Sequence, residues 1–388
     1  IPILTSSEVL PVMGEYERVS TTVINAYVSP GATSYLNTFS RSLQDKGLGF
    51  SPLIMHGNGG VTDIPGSVQK PGSLILSGPA AGAAATVWAG KLLGTSNLII
   101  FDMGGTSCDV SVTMNGEISV FDGMEIEGYH LAAPSLEIHT IGTGGGTIAT
   151  VDPGGMLHVG PQAAGAVPGP VAYGRGGEEP TVTDAHLILG KLEGNNLSES
   201  GITLNRGRAE SAIRSKIAEP LGISTPEAAM AIVKIANQNM ISAIELMSVQ
   251  KGRDPRNFVL IAAGGGGPLH ACAVARNLGI SRVFVPRHAA VLSALGLLHA
   301  DLRRDYVQNF QGKIKEISAE KLRAVLRRMR DNAIKDIGQT DISAIRINNI
   351  FQADLRYEGQ HWDIPVEIPD LDCNEVLDNL SSDFHKQH

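Results

Sequence analysis

The chain has 388 residues, of which 43% are hydrophobic and 18% charged, and its formal net charge at pH 7 is −8. An acidic chain without clustered lysine and arginine is not expected to bind nucleic acid, and no stretch reaches the roughly 18 consecutive apolar residues of a membrane span. The three cysteines are far apart and form no CxxC pair, which predicts a cytoplasmic protein without a disulfide framework or a zinc site.

Helices and one buried strand are predicted for the first quarter of the chain. Residues 8–47 are predicted to be mostly helical, because apolar residues recur there at a helical period. SPLIMHGNGG, residues 51–60, predicts a short buried strand that runs into a loop. GPAAGAAATVWAGKLLG, residues 78–94, predicts a helix, since proline suits a first helical turn and glycine typically follows the last.

A buried strand, a polar turn and a hairpin are predicted next. SNLIIFDM, residues 96–103, is a continuous apolar run of the kind buried on both faces in parallel sheets. DVSVTMNGEISVF, residues 109–121, predicts a hairpin, because apolar residues alternate and the Asn-Gly pair favours a type I′ turn. Residues 136–160 favour strands joined by glycine loops, and residues 161–186 are rich in loop-forming residues.

The second half of the chain predicts alternating helices and strands. Residues 225–251 give the strongest helical pattern, with Thr225 as the expected N-cap. Residues 257–280 predict a strand, a glycine loop and a helix, and residues 281–298 a strand and a helix of small residues. A charged amphipathic helix is predicted for residues 313–338, and the last 50 residues favour strands of a separate unit.

Glycine is the compositional outlier, with 45 residues, of which 20 fall into seven clusters. Glycine permits positive φ and close approach of the backbone at an entropic cost. Because the clusters follow strand-like or helix-like segments, they predict a cleft lined by backbone atoms.

The turn FDMGGTSCD follows a buried strand and predicts a site for phosphate and magnesium. Backbone N–H groups from Gly104, Gly105, Thr106 and Ser107 would form a concavity that binds an anion. Asp102 at the strand end would hold Mg²⁺ directly or through water, since Mg²⁺ takes few carboxylates and keeps several waters. The alternative is a β-turn with an incidental aspartate.

The turn AAGGGGPLH follows the other buried strand and contains Gly264, Gly265, Gly266 and Gly267. Because this turn enters a helix, its N–H groups could meet a phosphate, or the turn could lie flat against an adenine or a ribose. A packing turn is the alternative. Neither the GxGxxG pattern followed by an acidic residue nor GxxxxGK[ST] occurs, so a Rossmann or Walker site is not expected.

At these motifs the sequence resembles the hydantoinase A/5-oxoprolinase family. The resemblance runs in family order from about residue 8 to residue 307, through LIMHGNGG, LSGPAAGA, FDMGGTSCDVSV, IHTIGTGGGTIA, AAGGGGPLHACAVA and VLSALGLLHADLRRDYV. It implies an α/β fold of the actin-like ATPase (ribonuclease H-like) type, with mixed sheets flanked by helices and glycine-rich loops lining a cleft. FDMGGTSCD is similar to its second phosphate loop and AGGGGP to its adenosine loop, and Gly144, Gly145 and Gly146 are expected to join the nucleotide site.

The resemblance also implies a reaction and a partner. The expected function is ATP- and Mg²⁺-dependent activation of a cyclic amide or imide, of the hydantoin or 5-oxoproline type, by phosphoryl transfer before ring opening. The alternatives are the ATP-binding subunit of an acetone or acetophenone carboxylase, acting on a ketone, and a non-catalytic nucleotide-dependent assembly module. A hydantoinase B-type subunit is the implied partner in an oligomeric complex.

The same resemblance suggests how the chain is divided. The family begins with a lobe that carries a DxGGTxTD phosphate loop, which is absent from this sequence. We therefore expect a connecting segment at 1–76, the actin-like ATPase domain at 77–307, and a helix with the start of an incomplete domain at 308–388.

Four further polar positions invite a functional interpretation. Asp184 in PTVTDA is predicted to cap the helix that follows it, and a catalytic role facing the substrate is the alternative. Asn237 and Asn239 are predicted to join their helix to a glycine loop, because a buried amide must be hydrogen-bonded. The histidines are scattered without HxH or HExxH spacing, and His270, three residues beyond the adenosine loop, is expected to be structural.

Overall fold

The computed structural model describes residues 3–12, 14–193, 201–338 and 346–388. These residues form two compact units. The central unit comprises residues 54–62 and 70–302, and the second unit comprises the described residues of 1–53, 63–69 and 303–388. This division differs from the predicted boundaries after residues 76 and 307. Residues 54–62 belong to the central unit because Met55 and Val61 pack against Ala80 and Ala81.

The helices are α1 (Ser6–Val9), α2 (Glu15–Asp45), α3 (Ile64–Gln69), α4 (Ser77–Leu93), α5 (Val182–Ile188), α6 (Arg206–Ile213), α7 (Glu219–Leu221), α8 (Thr225–Met247), α9 (Gly267–Leu278), α10 (Leu292–Leu297), α11 (Ala319–Gly338) and α12 (Val376–Gln387). The strands are β1 (Ile54–Met55), β2 (Val61–Thr62), β3 (Leu98–Met103), β4 (Cys108–Met114), β5 (Glu117–Ile118), β6 (Val120–Phe121), β7 (Met124–Ile126), β8 (Tyr129–Leu131), β9 (Ser135–Leu136), β10 (Ile138–Ile141), β11 (Thr147–Val151), β12 (Leu157–Ala163), β13 (Val259–Ala263), β14 (Arg282–Phe284), β15 (Gln352–Leu355) and β16 (Ile364–Glu367). None of these described helices is long and apolar enough to cross a membrane.

A mixed sheet of six strands forms the middle of the central unit. Its strand order is β10-β4-β3-β13-β14, with β5 paired to β4. Strand β3 is parallel to β13 and antiparallel to β4, so that Asp102 lies opposite Ala263 on one side and opposite Asp109 on the other. The carboxyl ends of β3 and β13 therefore lie side by side at one edge of the sheet.

Helices cover both faces of this sheet. Ile99, Phe101 and Met103 of β3 point into a core shared with α5, α8 and α9. Leu98 and Ile100 point to the opposite face, against residues of α4 and α10. This alternation explains the unbroken apolar run that precedes Asp102, because both faces of the strand are buried.

Several element ends agree with the sequence, and the N-cap of α8 does not. Helix α4 ends at Leu93 with Gly94 as its C-cap, which has a φ of 62°, and the Asn115-Gly116 turn has positive φ at both positions. The N-cap of α8 is Ser224 and not Thr225, because Ser224 forms a capping box with Glu227.

The second unit has its own core, formed by α11, α12 and the β15–β16 hairpin. Helix α11 starts at Ala319, six residues later than predicted. The last 50 residues contain helix α12 in addition to the expected strands, and its side chains Val376, Leu380 and Phe384 are buried. Spacing of three or four residues between apolar positions favours a helix there, so the prediction of strands alone was wrong.

Candidate functional site

The turn between β3 and β4 presents backbone donors at the edge of the sheet. The N–H of Gly104 donates to the carbonyl of Ser107 over 3.0 Å, which closes the turn. Among the described residues, the N–H groups of Gly105, Thr106 and Ser107 have no acceptor. Gly105 and Thr106 are exposed. Adjacent free N–H groups in a tight turn are suited to bind an anion.

A second glycine loop, GTGGGT at residues 142–147, lies directly on this turn. The N–H of Gly145 donates to the carbonyl of Gly104 over 3.0 Å, and that of Gly146 to the carbonyl of Gly105 over 2.6 Å. A Cβ at Gly144 would lie 2.5 Å from the amide nitrogen of Thr106, so no larger residue fits. The loop thus forms hydrogen bonds with carbonyl groups of the turn, and the N–H groups of the turn remain available.

The third glycine turn, at the end of β13, meets the first. The N–H of Gly266 donates to the carbonyl of Met103 over 3.0 Å. Gly264 has a φ of +75°, and a Cβ there would lie 2.5 Å from Oδ1 of Asp102 and still closer to the Met103 carbonyl. Gly267 begins α9. The two turns predicted from separate strands therefore adjoin at the carboxyl edge of the sheet, where open α/β sheets bind ligands.

Two carboxylates lie beside these turns. Asp102 accepts a hydrogen bond from the Ser293 hydroxyl over 3.0 Å, and Asp109 accepts one from Thr140 over 2.6 Å. Burial raises the pKa of Asp102, the Ser293 hydrogen bond opposes this, and the charge of Asp109 adds to it. Burial also raises the pKa of Asp109. In the part of the chain that the structure describes, neither carboxylate pairs with lysine, arginine or histidine, so a cation would be bound favourably here.

The surroundings of the carboxylates fit a hydrated cation that is shared with a phosphate group. A small pocket beside Asp102 and Asp109 is also lined by Gly82 and Ser111. The Ser111 hydroxyl is buried and has no partner among the described residues. No group of three or more histidine, cysteine or acidic side chains that could hold a metal occurs in the described ranges. An ion at this position would therefore need oxygen ligands from water or from a bound phosphate.

Asp184 is fully buried and its carboxylate is engaged with backbone donors. It accepts hydrogen bonds from the N–H groups of Val171, Ala172 and Thr181 and from the Thr181 hydroxyl, at 2.7 to 3.3 Å. The N-cap of α5 is Thr181 and not Asp184, which lies three residues later and completes a capping box. Burial raises the pKa of Asp184, and these hydrogen bonds oppose the shift. The contacts favour a positioning role over contact with substrate.

The sequence predicted one polar contact between α8 and a glycine loop and gave no signal of a second, buried contact. Asn239 of α8 donates to the Thr143 hydroxyl over 3.3 Å, which joins the helix to the GTGGGT loop as predicted. His186 and His270 form a buried pair, with 2.9 Å between their Nε2 atoms. They are 84 positions apart in the chain, and no local pattern signals that they meet.

The comparisons with known proteins identify relatives of this chain. A family model described as Hydantoinase/oxoprolinase matches residues 18–306. The chain is 39% identical to an uncharacterised protein of Methanocaldococcus jannaschii and 37% identical to caprolactamase subunit alpha of Pseudomonas jessenii. All of this chain is matched in both cases, but it spans only 57% and 56% of the lengths of those relatives.

Two solved structures carry the same fold. The crystal structure of ATP-dependent caprolactamase from Pseudomonas jessenii aligns with a TM-score of 0.81 at 36% identity, over 99% of this chain and 56% of that one. A nucleotide-free structure of acetone carboxylase aligns with a TM-score of 0.82 at 27% identity, over 98% of this chain and 55% of that one. The predicted α/β class, with a mixed sheet flanked by helices, is confirmed, and the actin-like ATPase type stays a prediction.

Proposed function

We propose that this chain, which belongs to the hydantoinase/oxoprolinase family, forms the nucleotide-binding part of a cytoplasmic enzyme. That enzyme would open a cyclic amide and consume ATP. The observation that carries the proposal is the meeting of the two glycine turns beside Asp102. Backbone donors for phosphate and a carboxylate without a cationic partner adjoin there.

The three parts of this site would bind different parts of the substrate ATP and its metal ion. The N–H groups of Gly105, Thr106 and Ser107 would bind phosphate oxygens. Asp102 would bind the accompanying Mg²⁺, directly or through water, and Ser293 would hold that carboxylate in place. The turn from Gly264 to Gly267 would lie against the adenosine portion, and the loop Gly144–Gly146 would support the phosphate turn from behind. Backbone dipoles fixed in this way stabilise charge that develops on a transferring phosphoryl group.

The proposed chemistry turns a poor electrophile into a reactive one. The amide oxygen of the cyclic substrate attacks the γ-phosphorus, the bond to the bridging oxygen breaks, and ADP leaves. The product is an O-phosphorylated imidate. Water then adds to the imidate carbon, and the ring C–N bond breaks as the amine takes up a proton, which leaves an acyl phosphate. A second water hydrolyses the acyl phosphate to an open-chain amino acid and inorganic phosphate. The chain's own contribution is to hold the phosphates in line and to neutralise developing charge.

A cyclic amide is the first candidate substrate because the relative named caprolactamase is 37% identical over the whole chain. A ketone carboxylase subunit is the second candidate, because a relative named acetophenone carboxylase gamma subunit is 36% identical over 83% of the chain. The acetone carboxylase structure also superposes on nearly the whole chain. In that case the oxygen of an enolisable ketone would accept the phosphoryl group.

We further propose that the chain works in a heteromeric complex. The relative from Pseudomonas jessenii is named as subunit alpha, which supports a partner that completes the reaction. A hydantoinase B-type subunit is the partner that the family membership suggests.

The test is ADP release by the protein in complex with that partner subunit. 5-Oxoproline, hydantoin, caprolactam, and acetone with bicarbonate would be compared as substrates. Asp102→Asn is expected to lower turnover at least about 100-fold, the order lost with one charge-stabilising group. Asp254→Asn, an exposed aspartate paired with Arg256, is the matched control and should leave turnover unchanged. Undiminished turnover in Asp102→Asn would remove this residue from the mechanism, and nucleotide binding without turnover on any substrate would favour the assembly module.

A further inference from the structure

A circuit of buried hydrogen bonds connects two of the glycine loops behind the candidate site. It runs through α5, α8 and α9, on the face of the sheet opposite α4. His186 of α5 and His270 of α9 form its centre, with exposed fractions of 2% and 0%. His270 Nδ1 lies 2.6 Å from Oδ1 of Asn237 on α8. Three residues from three helices are thus joined, and the histidine pair is almost completely buried.

Each end of this circuit reaches a glycine loop. On α5, both the N–H and the hydroxyl of Thr183 donate to the carbonyl of Gly145 over 2.8 Å. On α9, His270 lies three residues beyond Gly267, in the first turn of the helix that the AGGGG turn enters. On α8, Asn239 donates to Thr143 at the start of the GTGGGT loop. The two loops are therefore connected twice, once through α5 and once through α8.

The hydrogen-bond pattern indicates the tautomers of both histidines, and burial keeps both rings neutral. Burial lowers the pKa of His186 and of His270 to about 3, and the charge of Lys191 contributes. With Oδ1 of Asn237 as acceptor, His270 donates from Nδ1 and accepts at Nε2, so His186 donates from Nε2. A single proton lies between the two rings, and the orientation of each ring depends on the other.

We propose that the His186–His270 pair positions the AGGGG turn relative to the GTGGGT loop and so sets the spacing between the two ends of the nucleotide site. Apolar residues would fill the same volume but would leave helices α5 and α9 free to shift against each other. A directional hydrogen bond defines one arrangement. The identity of the ligand rests on the proposed function, but the coupling between the loops does not.

The first experiment needs no ligand and measures amide hydrogen exchange in the protein as purified. His270→Leu and His186→Leu are expected to speed exchange at least fivefold in both loops, at residues 142–147 and 264–267. His270→Gln should restore slow exchange, because its side-chain oxygen can accept from His186 while its amide donates to Asn237. Thr86→Val, which removes a buried hydrogen bond to Thr113 on the other face of the sheet, is the control and should affect neither loop.

Thr183→Val keeps the experiment decisive if the leucine variants do not fold. It removes one hydrogen bond to Gly145 with little change of volume. It should speed exchange about twofold or more at residues 264–267 as well as at residues 142–147, the loop that Thr183 contacts. Exchange that rises only in the loop next to each substitution would overturn the proposal, as would a glutamine variant that behaves like leucine.

The second experiment separates this inference from the proposed function. ATP would contact both the AGGGG turn and the phosphate turn that the GTGGGT loop supports, whereas adenosine would contact only the AGGGG turn. His270→Leu should therefore weaken binding of ATP at least tenfold more than binding of adenosine, and His270→Gln should not. Equal losses for the two ligands would count against a positioning role. A wild-type protein that binds no ATP would overturn the proposed function, while the exchange measurements would still decide whether the loops are coupled.

Discussion

The amide N–H of Gly266 donates to the carbonyl of Met103 over 3.0 Å, so the turn after β13 rests on the last residue of β3. Asp102 is the neighbour of that carbonyl, and the pocket beside Asp102 also contains Asp109. The position of the carboxylate is consequently set by a backbone contact between two turns that are more than 150 positions apart in the sequence. Substitutions at these glycines test this directly.

Gly264→Ala is expected to destabilise the protein by about 2–4 kcal/mol. An added Cβ would meet Oδ1 of Asp102 and the Met103 carbonyl, and the φ of +75° is unfavourable for alanine. Gly265→Ala is the matched control, because nothing lies within 4 Å of its Cβ and its φ is not positive. The free energies of unfolding of the two variants, measured by urea denaturation, should differ by several kcal/mol. Equal values would show that the two turns are not in contact.

Gly144→Ala should disturb the phosphate turn from behind. Its Cβ would lie 2.5 Å from the amide nitrogen of Thr106, so the turn must shift and nucleotide affinity should fall about tenfold or more. In Gly105→Ala the added Cβ meets nothing within 4 Å, and the free energy of unfolding should stay within about 0.5 kcal/mol of wild type. For both variants, titration with ATP measures the nucleotide affinity and thermal melting measures the stability. Full affinity in Gly144→Ala would contradict the observed packing.

Ser293→Ala is expected to raise the pKa of Asp102. Burial already raises this pKa, and the Ser293 hydrogen bond to the ionised carboxylate is the contribution that lowers it. Without the hydroxyl the carboxylate is protonated at a higher pH, so the acid limb of the turnover profile should move to higher pH. A carbon-13 titration of the Asp102 carboxyl group gives the pKa independently of turnover. A shift to lower pH would contradict this prediction.

The histidine pair should make the protein sensitive to acid. Because the pKa of each ring is about 3 in the folded state, compared with the ordinary 6.5, the unfolded chain binds more protons between these values. The free energy of unfolding should therefore fall as pH drops below 6.5, by about 1.4 kcal/mol per pH unit for each histidine. In the double variant His186→Gln/His270→Gln, the free energy of unfolding should lack this dependence on pH below 6.5. Above pH 8 its dependence on pH should match that of the wild type. Parallel stability curves from pH 4 to 8 would show that the rings are not buried neutral.

Asp184→Asn should act on stability more than on chemistry. The carboxylate accepts from three backbone N–H groups and one hydroxyl, and an amide would set its own N–H₂ against some of these donors. We expect a loss of about 1–3 kcal/mol, with turnover per folded molecule within about threefold of wild type when assayed well below the melting temperature. A 100-fold loss of turnover in a fully folded variant would instead indicate direct contact with substrate.

The sequence alone determined the local features of the site. An apolar run that ends in Asp102 and two glycines specifies a buried strand followed by a tight turn, because both faces of the strand are apolar and glycines typically mark turns. The same holds for the strand before Gly264. The order of the glycine motifs along the chain also carried the family, which the comparisons confirm. These inferences depend on residues close together in sequence, where propensity and pattern are informative.

Only the tertiary structure decided which distant residues meet. The register of β3 places Asp102 opposite Asp109 and Ala263, and the packing of α5 against α9 brings His186 to His270. The packing also assigned Asp184 to the backbone of residues 171 and 172 rather than to a helix cap alone. Contacts between residues dozens of positions apart follow from how whole elements bury their apolar faces, and no short pattern in the sequence contains that information.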